Sequence, residues 1–387
     1  VGNDVTLTDG TLDWNNQAVT AGDNFNYGSG TDMSNTTGTF TVGGLYTQDS
    51  ANGFTAGSVA LNLDGVDINA GSFDASNATA MTVTDEGFDT AAGTTFTSVG
   101  ALKTLSIGSN TNIAAGTFVH NGGIVEFSGD QASNWTLDAN GNTFNTVNFD
   151  KTASGSRTIT ISDNFTTVGD LTFTNNVSGS GSFTIDTSGT PTITVGNDLL
   201  IPNTASNDAL YIGNSNLSFD LSGNASSFSQ EDANSTFYSN ILFTGNALQG
   251  FTHTAGSFEG AFTINKPSGT VRLNDDLNIG GTTADFNLIA GTFDWDGNNV
   301  SVGDNFTYGV GTNMINTTGD FQVADTYTQN STNGFTAGSG ADLNFGTFTM
   351  SAGDFDASQA GDMDVTNALT MNSNNTFTAG SYDMNVG

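Results

Sequence analysis

The chain has 387 residues, with 5 Lys+Arg against 39 Asp+Glu, a formal charge of −34 and no cysteine. That balance argues against a nucleic-acid partner, which needs clustered Lys and Arg, and it excludes disulfides and thiol chemistry. Fifty glycines beside three prolines, in a chain rich in Thr, Asn and Ser, disfavour helix and collagen alike; no apolar run nears the roughly 18 residues of a membrane span.

The chain begins at Val1 with "VGNDV" and shows no signal peptide, so it reads as a mature product or an excised segment. "GTLDW" (Gly10–Trp14) and "GDNFNYGSGTDMSNTTGTF" (Gly22–Phe40) follow, then "NGFTAGS" (Asn52–Ser58) and "AGSFDAS" (Ala70–Ser76). All four phrases return. "GTFDW" (Gly291–Trp295), "GDNFTYGVGTNMINTTGDF" (Gly303–Phe321) and "NGFTAGS" (Asn333–Ser339) lie 281 positions further on, and "AGDFDAS" (Ala352–Ser358) lies 282 further on. Residues 10–97 and 291–378 are therefore two copies of one block. "FTAGS" recurs once more at Phe377–Ser381, and "HTAGSF" (His253–Phe258) is a near copy.

Residues 98–290 carry a weaker repeat. "VNFDKTASGSRTITI" (Val147–Ile161) is similar to "FTINKPSGTVRL" (Phe262–Leu273), which makes Lys151, Arg157, Lys266 and Arg272 repeat positions. Apolar residues alternate at Val59/Leu61/Leu63, Leu171/Phe173, Phe183/Ile185, Ile193/Val195 and Leu217/Phe219/Leu221. Such period-two runs are strands with one buried face, and the Gly, Asn, Asp and Ser clusters between them turn the chain.

The pattern predicts an all-β protein: one long β-solenoid, or parallel β-helix, over residues 1–387, with coils of roughly 20–30 residues. In "FTAGS" Phe and Ala should point inward, Thr outward, and Gly should sit where a Cβ would obstruct the bend. Stacked coils should place Phe on Phe and Asn on Asn. A sandwich array would need linkers every hundred residues or so, and a propeller a blade period of about 40–50; neither can be laid over the chain.

"GTFDWDGNNVSVGDNFT", "TFNTVNFDKTASGSRTITI" and "FTINKPSGTVRLNDDLNIGG" resemble the β-strand repeats of very large bacterial secreted and surface proteins, often labelled adhesin-like. The resemblance covers essentially the whole chain. It implies the architecture and a secreted or cell-surface location, and it brings no catalytic residues.

No catalytic, cofactor-binding or metal-ligating residue is assigned. His120 and His253 each sit beside a turn, without a Ser-His-Asp context. Asp275/Asp276 and Asp354/Asp356 with Asp362/Asp364 could serve a polysaccharide-cleaving β-helix. However, Asp356 repeats Asp74 within "FDAS", which reads as a turn position. Calcium, if bound, is expected to be held weakly and diffusely. Trp14/Trp295 and Tyr27/Tyr308 match between the copies and are read as core. Sequons at Asn35, Asn134, Asn234 and Asn316 follow from composition.

The first residues and the last ("DMNVG", Asp383–Gly387) read as ordinary coil sequence without polar caps. The expectation is a non-enzymatic structural protein of an extracellular fibre, stalk or sheath, stacking head-to-tail through solenoid edges or continuing its own tandem array. The alternative is a surface adhesin with a glycan- or protein-binding face.

Overall fold

The computed structural model describes residues 2–113, 116–130, 134–177, 180–204, 206–372, 374–382 and 384–387; Val1 and Asp383 lie outside them. The chain is all β, a parallel β-solenoid of about 17 turns with coils about 22 residues apart. It divides into two compact units, Val1–Ile193 with Thr204–Asp208, and Thr194–Asn203 with Ala209–Gly387.

In the first unit, inward side chains stack coil on coil in three columns. One runs Val5, Phe25, Tyr46, Val66, Phe88. A second runs Val19, Phe40, Leu61, Met81, Leu105, Val125, Val147, Leu171. The third is all phenylalanine: Phe54, Phe73, Phe96, Phe118. The second unit is built likewise, with columns Leu277, Val300, Phe321, Leu343, Met363 and Phe262, Phe286, Phe306, Tyr327, Phe348, and a phenylalanine column Phe335, Phe355, Phe377. The register is parallel throughout these columns, so a residue's neighbour is its counterpart one coil later. Apolar alternation with period two therefore becomes a continuous core.

Long strands such as Phe40–Gln48 and Phe321–Gln329 turn a corner without leaving the ladder. Each carries a register shift, between Val42 and Leu45 and between Val323 and Thr326. The extra residues bend the strand, so one element serves two faces.

The repeated phrase behaves as its pattern predicts in two places. Phe54, Ala56, Phe335 and Ala337 are buried, and Thr55 and Thr336 are exposed. A Cβ on Gly57 would fall 2.3 Å from the Thr37 Cα, and one on Gly338 2.3 Å from the Thr318 Cα. These glycines admit the neighbouring coil's backbone; no unusual dihedral is involved. At the third copy Phe377 is only half-buried, although its ring stacks on Phe355 at 5.7 Å and 3°.

Two expectations are corrected. "HTAGSF" is not a structural copy: Gly256 has φ +84°, His253 is half-buried, and the inward ring is Phe258. Asparagine on asparagine is the exception and not the rule: no described strand register pair joins two asparagines, although at one bend the Asn246 backbone amide donates to the Asn224 Oδ1 one coil earlier at 3.4 Å. Its side-chain amide more often reaches the previous coil's carboxylates, as in Asn35 to Asp13 at 2.7 Å and Asn316 to Asp294 at 2.8 Å, or its backbone carbonyls, as in Asn145 to Gly122 at 3.1 Å. A carboxylate accepts better than a second amide.

Phe335→Ala should lower stability by about 3–5 kcal/mol, read from chemical denaturation. Phe377→Ala, half-exposed, should cost clearly less. Equal effects would mean that the column is misassigned.

Candidate functional site

The two copies of the repeated block enclose the same hydrogen-bonded module. Tyr27 donates its hydroxyl to the Gly53 carbonyl at 2.9 Å, and Tyr308 to Gly334 at 2.8 Å. Tyr46 donates to the Gln48 Oε1 at 2.9 Å, and Tyr327 to the Gln329 Oε1 at 2.9 Å. The amide of Gln48 then donates to the Ala70 and Ser72 carbonyls (2.8 and 3.1 Å), and that of Gln329 to Ala352 and Asp354 (3.0 and 3.1 Å). Ser50 and Asn52 both donate to the Thr31 carbonyl, as Ser331 and Asn333 do to Thr312. Each module closes bends that the sheet ladder leaves open, and burial raises the Tyr46 and Tyr327 hydroxyls well above the usual tyrosine range. Trp14 and Trp295 are buried against Phe40 and Phe321, at 4.9 and 5.0 Å. The matched tryptophans and tyrosines are therefore core, as their parity predicts.

Most of the carboxylates considered for catalysis are engaged in turns or across neighbouring strands. Asp356 accepts from the Ser358 amide at 2.9 Å, and its copy Asp74 accepts from Ser76 at 2.9 Å. Asp276 holds Asn299, Asp364 holds Asn385, and Asp354 accepts from the Thr376 amide. Asp354/Asp356 and Asp362/Asp364 lie on different strand stacks, one paired to Phe335–Thr336 and the other to Asp342–Met350. His120 accepts the Gly122 amide at 3.1 Å through Nδ1. Burial lowers His253 below its ordinary range; it borders a depression of about 60 Å³ with Ser257, Glu259 and Asn278. Among the described residues, no group of three or more His, Cys, Asp or Glu is placed to hold a metal ion, and no helix is long and apolar enough to cross a membrane.

Two surface grooves occupy corresponding positions in the copies. One, of about 220 Å³, is lined by Ser301, Gln322, Asn344, Gly346 and Thr366. The other, of about 210 Å³, is lined by Thr41, Asn62, Asp64, Thr82 and Thr84. Both lie beside the strand bulges, and their linings differ in chemistry, Asp64 standing where the second copy has Gly346. The groove thus follows from the bend, while the side chains in it vary.

The pattern reading missed the buried lysines. Lys151 and Lys266 are fully buried, and both continue the inward alternation, after Phe149 and after Ile264. Lys151 donates to the Ala153 carbonyl at 2.6 Å. Lys266 bonds to the Gln249 Oε1, whose amide donates to Leu221, Gly223 and Ser226. Among the described residues the ion pair is Arg272 with Asp294 at 2.9 Å, so neither lysine has a carboxylate in contact. Burial pushes the Lys266 ammonium down to about 8.

That depression has a sign. Between about 8 and the ordinary 10.5, the unfolded chain binds the proton that the folded chain has released, so folding gains stability as pH rises through this window and loses it as pH falls toward 8. Lys266→Met should be more stable than the parent at neutral pH, and the difference should shrink as pH rises toward about 9.5. Thermal unfolding of both chains across this range checks it; a pH-independent difference refutes it. Gln329→Leu should cost on the order of 1–3 kcal/mol by stranding the Tyr327 hydroxyl and two carbonyls, again by denaturation.

No family model, no curated protein and no solved structure matches the chain.

Proposed function

We propose that the chain is a non-enzymatic structural segment of an extracellular or cell-surface fibre, stalk or sheath. The observation that supports this most is the duplicated module. Two blocks 281 residues apart keep the same Tyr, Gln, Ser and Asn contacts, and these contacts all serve the coil itself. The grooves beside them have similar volumes and share Asn62/Asn344 and Thr84/Thr366, but no charged group is common to both, Asp64 standing where the second copy has Gly346. Most carboxylates considered for an acid-base pair bond within turns or across neighbouring strands, and the bulk of the negative charge lies on outward positions, where it opposes side-by-side clumping.

The reading includes axial growth. Strand Met384–Val386 pairs on one side with Met363–Val365. Its other edge offers N–H and C=O groups to a further parallel strand, either from a continuation of the same array or from a second copy. Such a contact is heterologous and extends without closing.

The 387-residue chain, followed by light scattering and negative-stain microscopy as concentration and salt rise, should form end-on stacks whose axis is the solenoid axis. Val386→Pro, which removes an N–H on the open edge (the Gly387 amide faces back to the Val365 carbonyl) and so disfavours the added strand, should shorten them. A monomer at every concentration and salt, or release of reducing ends from polysaccharides incubated with the chain, would remove this reading.

A further inference from the structure

The chain has 29 Phe, 3 Trp and 7 Tyr. Among the described residues, two of these aromatic side chains stand out in solvent, Tyr211 at 37% and Tyr238 at 41% exposure. They touch each other: the ring centroids are 6.4 Å apart and the planes 32° from parallel. Isolated exposed apolar groups need no explanation, but the two exposed rings of an otherwise inward-turned set falling side by side is a specific arrangement.

Both lie in the unit that contains Ala209–Gly387, on consecutive coils of one sheet. Tyr211 is on strand Leu210–Ile212, in register with Thr236, and Tyr238 directly follows strand Ser235–Phe237. The Tyr238 amide donates to the Ile212 carbonyl at 3.0 Å, which fixes it one position past the pair Ile212 and Phe237. The next coil brings Glu259 beside it, held by a bond from its amide to the Phe237 carbonyl at 2.8 Å. The other well-buried tyrosines use their hydroxyls inside: Tyr27 and Tyr308 on carbonyls, Tyr46 and Tyr327 on glutamines. Neither the Tyr211 nor the Tyr238 hydroxyl bonds to a described residue. The result is two adjacent ring faces with free hydroxyl tips, bordered by Thr236 and Glu259.

We propose that Tyr211 and Tyr238 form a stacking platform for an uncharged polysaccharide. The C–H face of a pyranose is apolar and its rim is hydroxylated, which matches rings that are apolar in body and polar at the tip, with a few hydroxyl and carboxylate groups to orient it. Charge selects among sugars. The basic side chains of this unit are Lys266, which is buried, and Arg272, bonded to Asp294, so an anionic chain meets repulsion with no cation to hold it. Size selects against a protein. A stable protein interface covers about 800 Å² on each partner around an apolar centre, whereas this patch is two rings in a polar setting. The platform is additional to the structural role proposed above and does not depend on it.

The test is calorimetric titration of the full chain with cellohexaose, laminarihexaose and mannohexaose, with polygalacturonate as the anionic control. At least one neutral hexasaccharide should bind, with little dependence on salt, and polygalacturonate should not. Replacing both residues (Tyr211→Thr with Tyr238→Thr) keeps β-branched strand formers at the surface and should weaken binding at least about tenfold, while Tyr211→Phe with Tyr238→Phe should retain most of it. Absence of binding by all three neutral sugars overturns the proposal. So does binding that survives the double threonine change in a chain of unaltered thermal stability, or binding confined to charged sugars and abolished by salt.

Discussion

Everything in this protein depends on covering each coil's inner face with the coils before and after it. A single 22-residue coil cannot bury its own apolar side chains. Stacked in parallel register, it buries them against their own counterparts, and the columns of Phe, Leu, Val and Met follow. The register cannot slip by one residue without turning every inward side chain out. This is why alternation survives across regions that share few letters, and why the exceptions fall at bulges.

Polar groups obey the same constraint. A coil has three corners, and corners expose backbone carbonyls that no ladder satisfies. The buried Gln, Ser, Asn and Tyr side chains close them from the inside, and Asp and Asn close them from the outside. Lys151 and Lys266 are the costly members of this set: each brings a charge into the core without a carboxylate in contact, which neighbouring carbonyl and amide oxygens offset only in part. Their stems fill space in the inward column, and their nitrogens reach bends that shorter side chains would miss.

Much of this was legible in the sequence. Phe54, Trp14 and Tyr27 declared their inward facing through period-two alternation and through their copies at Phe335, Trp295 and Tyr308. Asp74 and Asp356 were readable as turn residues because they recur. The buried lysines were missed because charge outweighed parity, although Phe149-x-Lys151 and Ile264-x-Lys266 carry the same alternation as their apolar neighbours. "HTAGSF" misled because five similar letters say nothing of the backbone dihedral at Gly256. The Tyr211 and Tyr238 pair could not be read at all: the residues are 27 positions apart, and their meeting depends on the length of the turn between two coils.

The absence of native cysteine allows the central claim, parallel coils in a fixed register, to be measured directly by engineered disulfides. Gln322 and Asn344 are outward register partners on consecutive coils, at a strand spacing of about 4.8 Å that lies within disulfide reach. Gln322→Cys with Asn344→Cys should oxidise to an intramolecular disulfide in the folded chain. Gln322→Cys with Asp364→Cys, two coils apart in the same outward row and so separated by about 10 Å, should not. Cross-linking of the second pair in preference to the first would contradict the stacked-coil account.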